Sequence, residues 1–271
     1  TAPLTDHLAR NKTAWEVARQ PSSWRCCSIP RLLALLVAVA AVAIGCLQSN
    51  GVTDGTFPLL HLTRPWNLTS DDAFSFEGQT AVITGASSGL GLGTAKLLAR
   101  RGATLVVTAR DTDKCEATLA ELRSHSPCNN TESAHKCVAP PITCVKLELL
   151  SLARVEETAA KLIKAVPRLD ILVLNAGIMA PPALELSDDG LEIQFQVNHL
   201  SQWFLANRLL PSLRRASAPR VVVISSVGHW LAPSTGLLSL SKLNDAAAYN
   251  KAKWYGWSKL CNLLFARELA R

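Results

Sequence analysis

The sequence predicts an α/β fold, a doubly wound parallel sheet with helices on both faces, on three observations. Short apolar runs alternate with amphipathic stretches of helical period from residue 80 to the end of the chain. The first run ends in a glycine- and serine-rich turn, Thr84-Gly85-Ala86-Ser87-Ser88-Gly89-Leu90-Gly91, that leads straight into a helical pattern. Two later runs end in small polar or glycine residues, Asn175-Ala176-Gly177 and Ser225-Ser226. Alternating strands and helices imply parallel pairing through right-handed crossovers. In such a sheet the carboxyl ends of the strands share one ligand-binding edge. At 271 residues, 48% of them hydrophobic, the chain holds one such domain plus extra segments.

Residues 1–31 are a basic arm, with Arg10, Lys12, Arg19, Arg25 and Arg31 against Asp6 and Glu16. Residues 32–47, LLALLVAVAAVAIGCL, are an unbroken apolar run. As a helix the run reaches about 24 Å, short of the roughly 30 Å hydrocarbon core, and Arg31 extends it by snorkelling. A membrane anchor is the preferred reading, with the basic arm on the cytoplasmic side. A cleaved signal or transit segment and a buried helix are the alternatives. Residues 48–77, with Pro58 and Pro65, read as a linker, and the α/β domain spans 78–271. Asn67-Leu68-Thr69 and Asn129-Asn130-Thr131 match the glycosylation acceptor pattern, which agrees with a membrane-associated protein of the endoplasmic reticulum or another organelle. The net charge is +7, but no Lys/Arg run follows the arm, so no nucleic-acid partner is expected. The eight cysteines form no Cys-x-x-Cys pair, which argues against a zinc ribbon or a disulfide scaffold.

Within the domain, Thr80–Ile83 reads as the first strand and Leu90–Arg101 as the first helix. Ala103–Thr108 and Asp111–Arg123 repeat the pattern. Residues 124–141 are an insertion containing His125, Cys128, His135 and Cys137; it reads as a surface loop with a Cys128–Cys137 bridge rather than a metal site. Ile142–Leu147 is the third strand, followed by a helical face of Val155, Ala159, Leu162, Ile163 and Val166. Leu169–Leu174 is the fourth strand, Leu191–Leu213 a long helix, Arg220–Ile224 the fifth strand, and Asp245–Arg271 the last helix.

The turn after the first strand has the spacing Thr-Gly-x-x-x-Gly-x-Gly. Glycines let the backbone turn sharply and let a ligand come close, and a helix N-terminus presents free N–H groups to a phosphate. The same residues also fit an ordinary strand-to-helix turn. Tyr255 and Lys259, four apart, point the same way on a helix. A second pair of this spacing, Tyr249 and Lys253, lies just before. Arg110 and Asp111 follow the second strand: an arginine there suits the 2′-phosphate of NADP, an acidic residue the ribose diol of NAD. Ser225 and Ser226 both fit a strand-end cap, Asn198 a buried helix position, and Trp254 and Trp257 packing. His199 and His229 receive no role.

The ordered set Thr84 to Gly91, Asn175-Ala176-Gly177, Asn198, Ser226, Tyr255 and Lys259 resembles the short-chain dehydrogenase/reductase family, a Rossmann-like fold. LDILVLNAGIMAPP (169–182), DGLEIQFQVNHL (189–200), RVVVISSVGHW (220–230) and SKLCNLLFARELAR (258–271) resemble retinol dehydrogenases and the WW-domain-containing oxidoreductase. The light-dependent protochlorophyllide reductases share TGASSGLGL, but their pattern after the fourth strand differs from Asn-Ala-Gly.

The resemblance implies hydride transfer between NADP, with NAD the alternative, and a small lipophilic alcohol or carbonyl, retinol- or steroid-like. It implies Tyr255 as the acid/base. A tyrosine in water titrates at about 10, too high for ready exchange at neutral pH, and a neighbouring ammonium favours the ionised form. Lys259 stands in that place and would also bind the nicotinamide ribose. Ser226, preferred by register over Ser225, would bind the substrate oxygen, and Asn198 would hold a water linked to the lysine. The implied cofactor-binding set is Gly85, Ser87, Ser88, Gly89, Leu90, Gly91, Arg110, Glu148, Asn175, Ala176, Gly177, Tyr255 and Lys259. Glu148 departs from the family's aspartate beside the adenine. No metal is implied, and a homodimer is one assembly open to the chain. The family continues with a sixth strand, a Pro-Gly turn and a substrate-covering loop that these residues lack, so the domain reads as C-terminally truncated. A protochlorophyllide-reductase-like enzyme and a non-catalytic relative, keeping the fold as a binding or scaffold module, are the rival readings.

Overall fold

The computed structural model describes residues 75–124, 140–233 and 240–271. Five parallel strands form one sheet: β1 (Thr80–Ile83), β2 (Thr104–Ala109), β3 (Ile142–Lys146), β4 (Ile171–Leu174) and β5 (Arg220–Val223). Their order is β3-β2-β1-β4-β5. The chain therefore winds outward from β1 to one side, then returns to the other side of β1 for β4 and β5. That reversal opens a crevice at the carboxyl ends of β1 and β4, the place where this class of sheet takes its ligand.

Strands buried on both faces read as continuous apolar runs, and β4 is buried at all four positions. Alternate side chains feed two cores. Val82, Val106, Leu172 and Leu174 pack with α3 (Leu152–Ala165) and the long helix α4, residues 193–213. Ala81, Ile83, Leu105, Val107, Ile171 and Val173 pack with α1 (Gly89–Arg100) and, through Leu122, α2 (Thr112–Arg123). A fully buried leucine such as Leu172 contributes about 1.5–3 kcal/mol.

Three segments differ from the pattern the sequence predicts. The helix expected over 191–213 has three parts, an α turn Ile193–Phe195, a π-wound segment Gln196–Leu200 and an α segment Ser201–Leu213, here together α4. A π segment inserts an extra residue into the helical ladder, and periodicity does not reveal it. The last helix, α6, runs Lys251–Leu269 rather than from Asp245, because Asn250 caps it by accepting from the Lys253 N–H at 3.0 Å. Asp245 instead closes a turn on the Ala247 N–H, after a short helix α5 (Leu240–Leu243).

The third difference lies on the faces of α6. An apolar stripe would turn its leucines inward, but Leu263 and Leu264 are exposed. The buried stripe is Trp254, Gly256, Trp257, Ser258, Lys259 and Asn262.

A disulfide joins Cys115 of α2 to Cys144 of β3, with Cα atoms 5.5 Å apart. The expected Cys128–Cys137 bridge lies outside the described residues, as do the basic arm, the apolar run 32–47 and most of the linker. No helix among the described residues is long and apolar enough to cross a membrane.

Candidate active site

The glycine turn is built by backbone contact. A Cβ on Gly91 would stand 2.3 Å from the Gly85 carbonyl oxygen and 2.5 Å from Asn175 Nδ2, so α1 reaches the turn only through glycine. Gly85, at φ +65°, packs in the same way on Ala176. Asn175 locks this corner: its Nδ2 donates to the Thr84 and Gly85 carbonyls at 3.0 and 3.1 Å. Buried Thr84 ties the ends of β1 and β4 together. Its Oγ1 accepts from the Asn175 and Ala176 N–H groups and donates to Gln202 Oε1 at 3.1 Å, and Gln202 Nε2 donates to the Ala176 carbonyl.

Past the corner the backbone is open. Gly89 has φ +54° with no atom within 4 Å of where a Cβ would stand, and Ser88, the N-cap of α1, makes no side-chain cap bond. No Ser88 side-chain cap takes the N–H groups of the first turn, an arrangement that fits a phosphate. At the β2 end, Asp111 caps α2 by accepting from the Lys114 N–H at 2.8 Å, which holds its carboxyl below the usual range, while Arg110 is exposed. Glu148 accepts from the Leu150 N–H at 3.1 Å, closing its own turn.

The other half of the crevice comes from β5, α4 and α6. Gly256 brings α6 against the 3₁₀ turn Val227–Leu231: a Cβ there would stand 2.5 Å from the Gly228 carbonyl oxygen. The Tyr255 ring edge and Ser226 Oγ both border Gly228, within 3.0 and 3.3 Å of where its Cβ would lie. Ser226 Oγ accepts from the Gly228 N–H at 3.0 Å and keeps its own proton to donate. Ser225 Oγ donates to the Lys259 carbonyl at 2.8 Å, a structural bond, which leaves Ser226 as the serine facing the tyrosine.

Lys259 is 5% exposed. Its Nζ lies 5.7 Å from the Tyr255 ring centre and donates to the Ile224 carbonyl at 3.2 Å. Burial brings its pKa down to about 8.

Asn198 lies in the π segment with its carboxamide fully engaged. Oδ1 accepts from the Ile178 N–H, and Nδ2 donates to the Ile178 carbonyl and to Ser258 Oγ. Ser258 Oγ in turn donates to the Tyr255 carbonyl at 2.7 Å.

Tyr249 is engaged elsewhere. Its hydroxyl donates to the Pro181 carbonyl at 3.0 Å, its ring meets Trp254, and burial pushes its pKa up. It braces the loop after β4.

The sequence reading misses Gln202, Ser258, Asn262 and the pair Glu192–Gln194. Glu192, fully buried, accepts from the Phe195 N–H and from Gln194 Nε2, and burial raises its pKa. Gln194 Oε1 accepts from the N–H of Ala180, which has φ 54°. The available signal is polar residues falling where the helical period calls for apolar ones.

The family model for short chain dehydrogenase matches residues 79–237, more than half of the chain and the whole of the crevice as far as the 3₁₀ turn. The chain belongs to the short-chain dehydrogenase family. Human retinol dehydrogenase 13 is 37% identical to this short-chain dehydrogenase over 195 residues, 72% of the chain and 54% of that relative. Human retinol dehydrogenase 14 is 38% identical over 201 residues, 72% and 57%. The chain thus spans about half the length of the curated relatives it matches. A crystal structure of an uncharacterized protein from Mycobacterium paratuberculosis aligns with a TM-score of 0.58 at 40% identity, covering 75% of this chain and 65% of that one. The complex of Pseudomonas aeruginosa RhlG with NADP aligns with a TM-score of 0.53 at 29% identity, covering 72% and 66%.

Proposed function

We propose that this short-chain dehydrogenase transfers hydride between NADP and a lipophilic alcohol or carbonyl of the retinol or steroid kind. The observation that carries the reading is the meeting of Tyr255 and Ser226 at Gly228, with Lys259 Nζ 5.7 Å from the Tyr255 ring centre, beside the crevice where the glycine turn opens. When bound, the nicotinamide dinucleotide supplies the hydride. Gly85, Ser87, Ser88, Gly89, Leu90 and Gly91 would hold its phosphates, Asn175, Ala176 and Gly177 the backbone beside it, Glu148 the adenine end, and Lys259 the ribose. Arg110, exposed beside an engaged Asp111, supports NADP over NAD.

In reduction, the Tyr255 hydroxyl gives its proton to the substrate oxygen, and the reverse reaction returns it. Ser226 donates a hydrogen bond to the same oxygen as charge develops there. Lys259, kept charged at neutral pH, favours the tyrosinate that remains. Asn198 acts as a positioning residue, since its carboxamide holds Ile178 and Ser258 rather than a substrate.

Met179, Val227, Trp230 and Leu231 are exposed apolar side chains close in sequence to Gly177 and Ser226, which supports a lipophilic substrate. The names of the matched retinol dehydrogenases point the same way. The reading includes a membrane anchor at 32–47 and a dehydrogenase domain over 78–271.

Purified full-length protein is expected to oxidise NADPH in the presence of all-trans-retinal, and to bind NADPH more tightly than NADH by fluorescence titration. Absence of turnover with retinal and with steroid ketones alike, under conditions where NADPH binds, would favour the non-catalytic reading.

A further inference from the structure

Asn262 sits three residues after Lys259 on the same face of α6 and is 2% exposed. Its Nδ2 donates to two main-chain carbonyls, that of Asn198 at 2.9 Å and that of Ile224 at 3.1 Å. Both N–H bonds of the amide are then engaged, so Oδ1 is left to accept, and it lies 3.1 Å from His199 Nδ1. That fixes the tautomer of His199: its Nδ1 carries the proton. Burial brings the pKa of His199 down to about 4, so the ring stays neutral near pH 7 and the donation holds. The carboxamide is thereby filled on every side, in a place with little access to water.

Two of these contacts lead to the site. Asn198 belongs to the π segment, where the regular helical ladder is broken, and Asn262 gives its carbonyl a donor. The Ile224 carbonyl is the one that also receives Lys259 Nζ, and Ile224 is the last residue before Ser225-Ser226. We infer that Asn262, oriented by His199, is a positioning residue for Lys259. It holds the carbonyl on which the ammonium rests and fixes the distance between α4 and the end of β5. The inference rests on the dehydrogenase reading above, which gives Lys259 its role.

Around Lys259 Nζ stand Gly177 from the end of β4, Ile224 from the end of β5 and Tyr255 on its own helix; His199 reaches it only through Asn262. Among these contacts Tyr255 is the single titratable side chain, so a change at Asn262 acts on the lysine through geometry and solvation.

The test is trace labelling of Lys259 with acetic anhydride from pH 6 to 10, read by mass spectrometry, beside NADPH titration and turnover. Asn262→Ala admits water to the Ile224 carbonyl. The labelling inflection is expected to rise by at least half a pH unit toward that of an exposed lysine. Turnover is expected to fall at least tenfold, with a smaller loss of NADPH affinity because Lys259 also reaches the ribose. His199→Phe keeps the ring's bulk and both donated bonds but frees Oδ1, and is expected to move the inflection the same way by less. It decides the matter if the alanine variant does not fold. A folded Asn262→Ala, or failing that His199→Phe, with lowered melting temperature but an unmoved inflection would reduce Asn262 to a structural residue. Because labelling needs no turnover, a protein that reduces nothing but shows the shift would sink the proposed activity and leave this inference standing.

Discussion

The two halves of the crevice are made by different means. The glycine-turn half is backbone: Gly85 and Gly91 let β1, α1 and the Asn175 corner close to distances no side chain permits. The Tyr255 half is a lattice of buried polar side chains. Asn198, Ser258, Asn262 and Lys259 are drawn from α4 and α6, some 60 positions apart in sequence; the two carboxamides and the Ser258 hydroxyl are engaged by protein partners, and Lys259 Nζ rests on the Ile224 carbonyl. Backbone sterics dictate residue type at fixed local spacing, so the first half can be read as a motif. A polar network dictates only that each buried group finds a partner, and the partner can come from anywhere in the chain. The halves should therefore fail differently when altered.

The largest effect is expected in the second half. Tyr255→Phe removes the proton donor and little volume, and general acid catalysis is typically worth about 10²–10⁴-fold. Turnover should fall by that order in a steady-state assay while NADPH binding, followed by fluorescence, stays within a few fold. Equal loss of binding and turnover would mean that the tyrosine belongs to the cofactor half.

Gly91→Ala should reverse the pattern. Its new methyl meets the Gly85 carbonyl and Asn175 at distances real Cβ atoms do not show, and neither neighbour is a flexible chain end. Forcing atoms into a packed site costs roughly 1–3 kcal/mol, or about 5–150-fold. That loss should appear in NADPH affinity measured by titration, with turnover at saturating cofactor much less affected. A variant that bound normally would show that the corner can open without harm to the phosphate site.

This contrast also explains what could be read from the sequence. The five strands, their alternation with helices and the Thr84–Gly91 turn follow from apolar runs and glycine spacing, and each was found within a residue or two. The start of α6 is ambiguous in the sequence because Asp245 and Asn250 are both good caps; in the structure Asp245 closes a turn and Asn250 caps the helix. The π segment leaves no trace in the period, and the donor that meets its Asn198 carbonyl, Asn262, comes from another helix 64 residues away. The leucines of α6 misled because the buried stripe of that helix carries Ser258, Lys259 and Asn262, which local pattern assigns to solvent.

Arg110→Ala should have an effect of similar size but more selective in the cofactor half. One charged hydrogen bond to a 2′-phosphate is worth about 1.5–3 kcal/mol, so NADPH should lose roughly 10- to 150-fold in affinity. NADH, which lacks the phosphate, should change little. Parallel titrations with the two cofactors measure the difference, and equal losses would make Arg110 an ordinary surface charge.

The smallest effect is expected at Tyr249, and it is the sharpest test of which tyrosine does chemistry. The chain has only two tyrosines, each followed four residues later by lysine. Tyr249 lies before the start of α6, and its hydroxyl is already engaged, donating to the Pro181 carbonyl and lying 3.4 Å from Gln194 Nε2. Burial favours its neutral form, as do the carboxylates Glu192 and Glu185, so it is a poor source of a proton near neutral pH. Tyr249→Phe keeps the ring against Trp254 and loses the neutral bond to Pro181 and the longer one from Gln194, at a cost of about 0.5–1.5 kcal/mol in stability for each. A thermal melt should register that loss, and turnover should stay within a few fold. If the melt were unchanged and turnover collapsed, the roles of the two tyrosines would be exchanged. The polar lattice around Lys259 would then brace a helix that carries no proton donor.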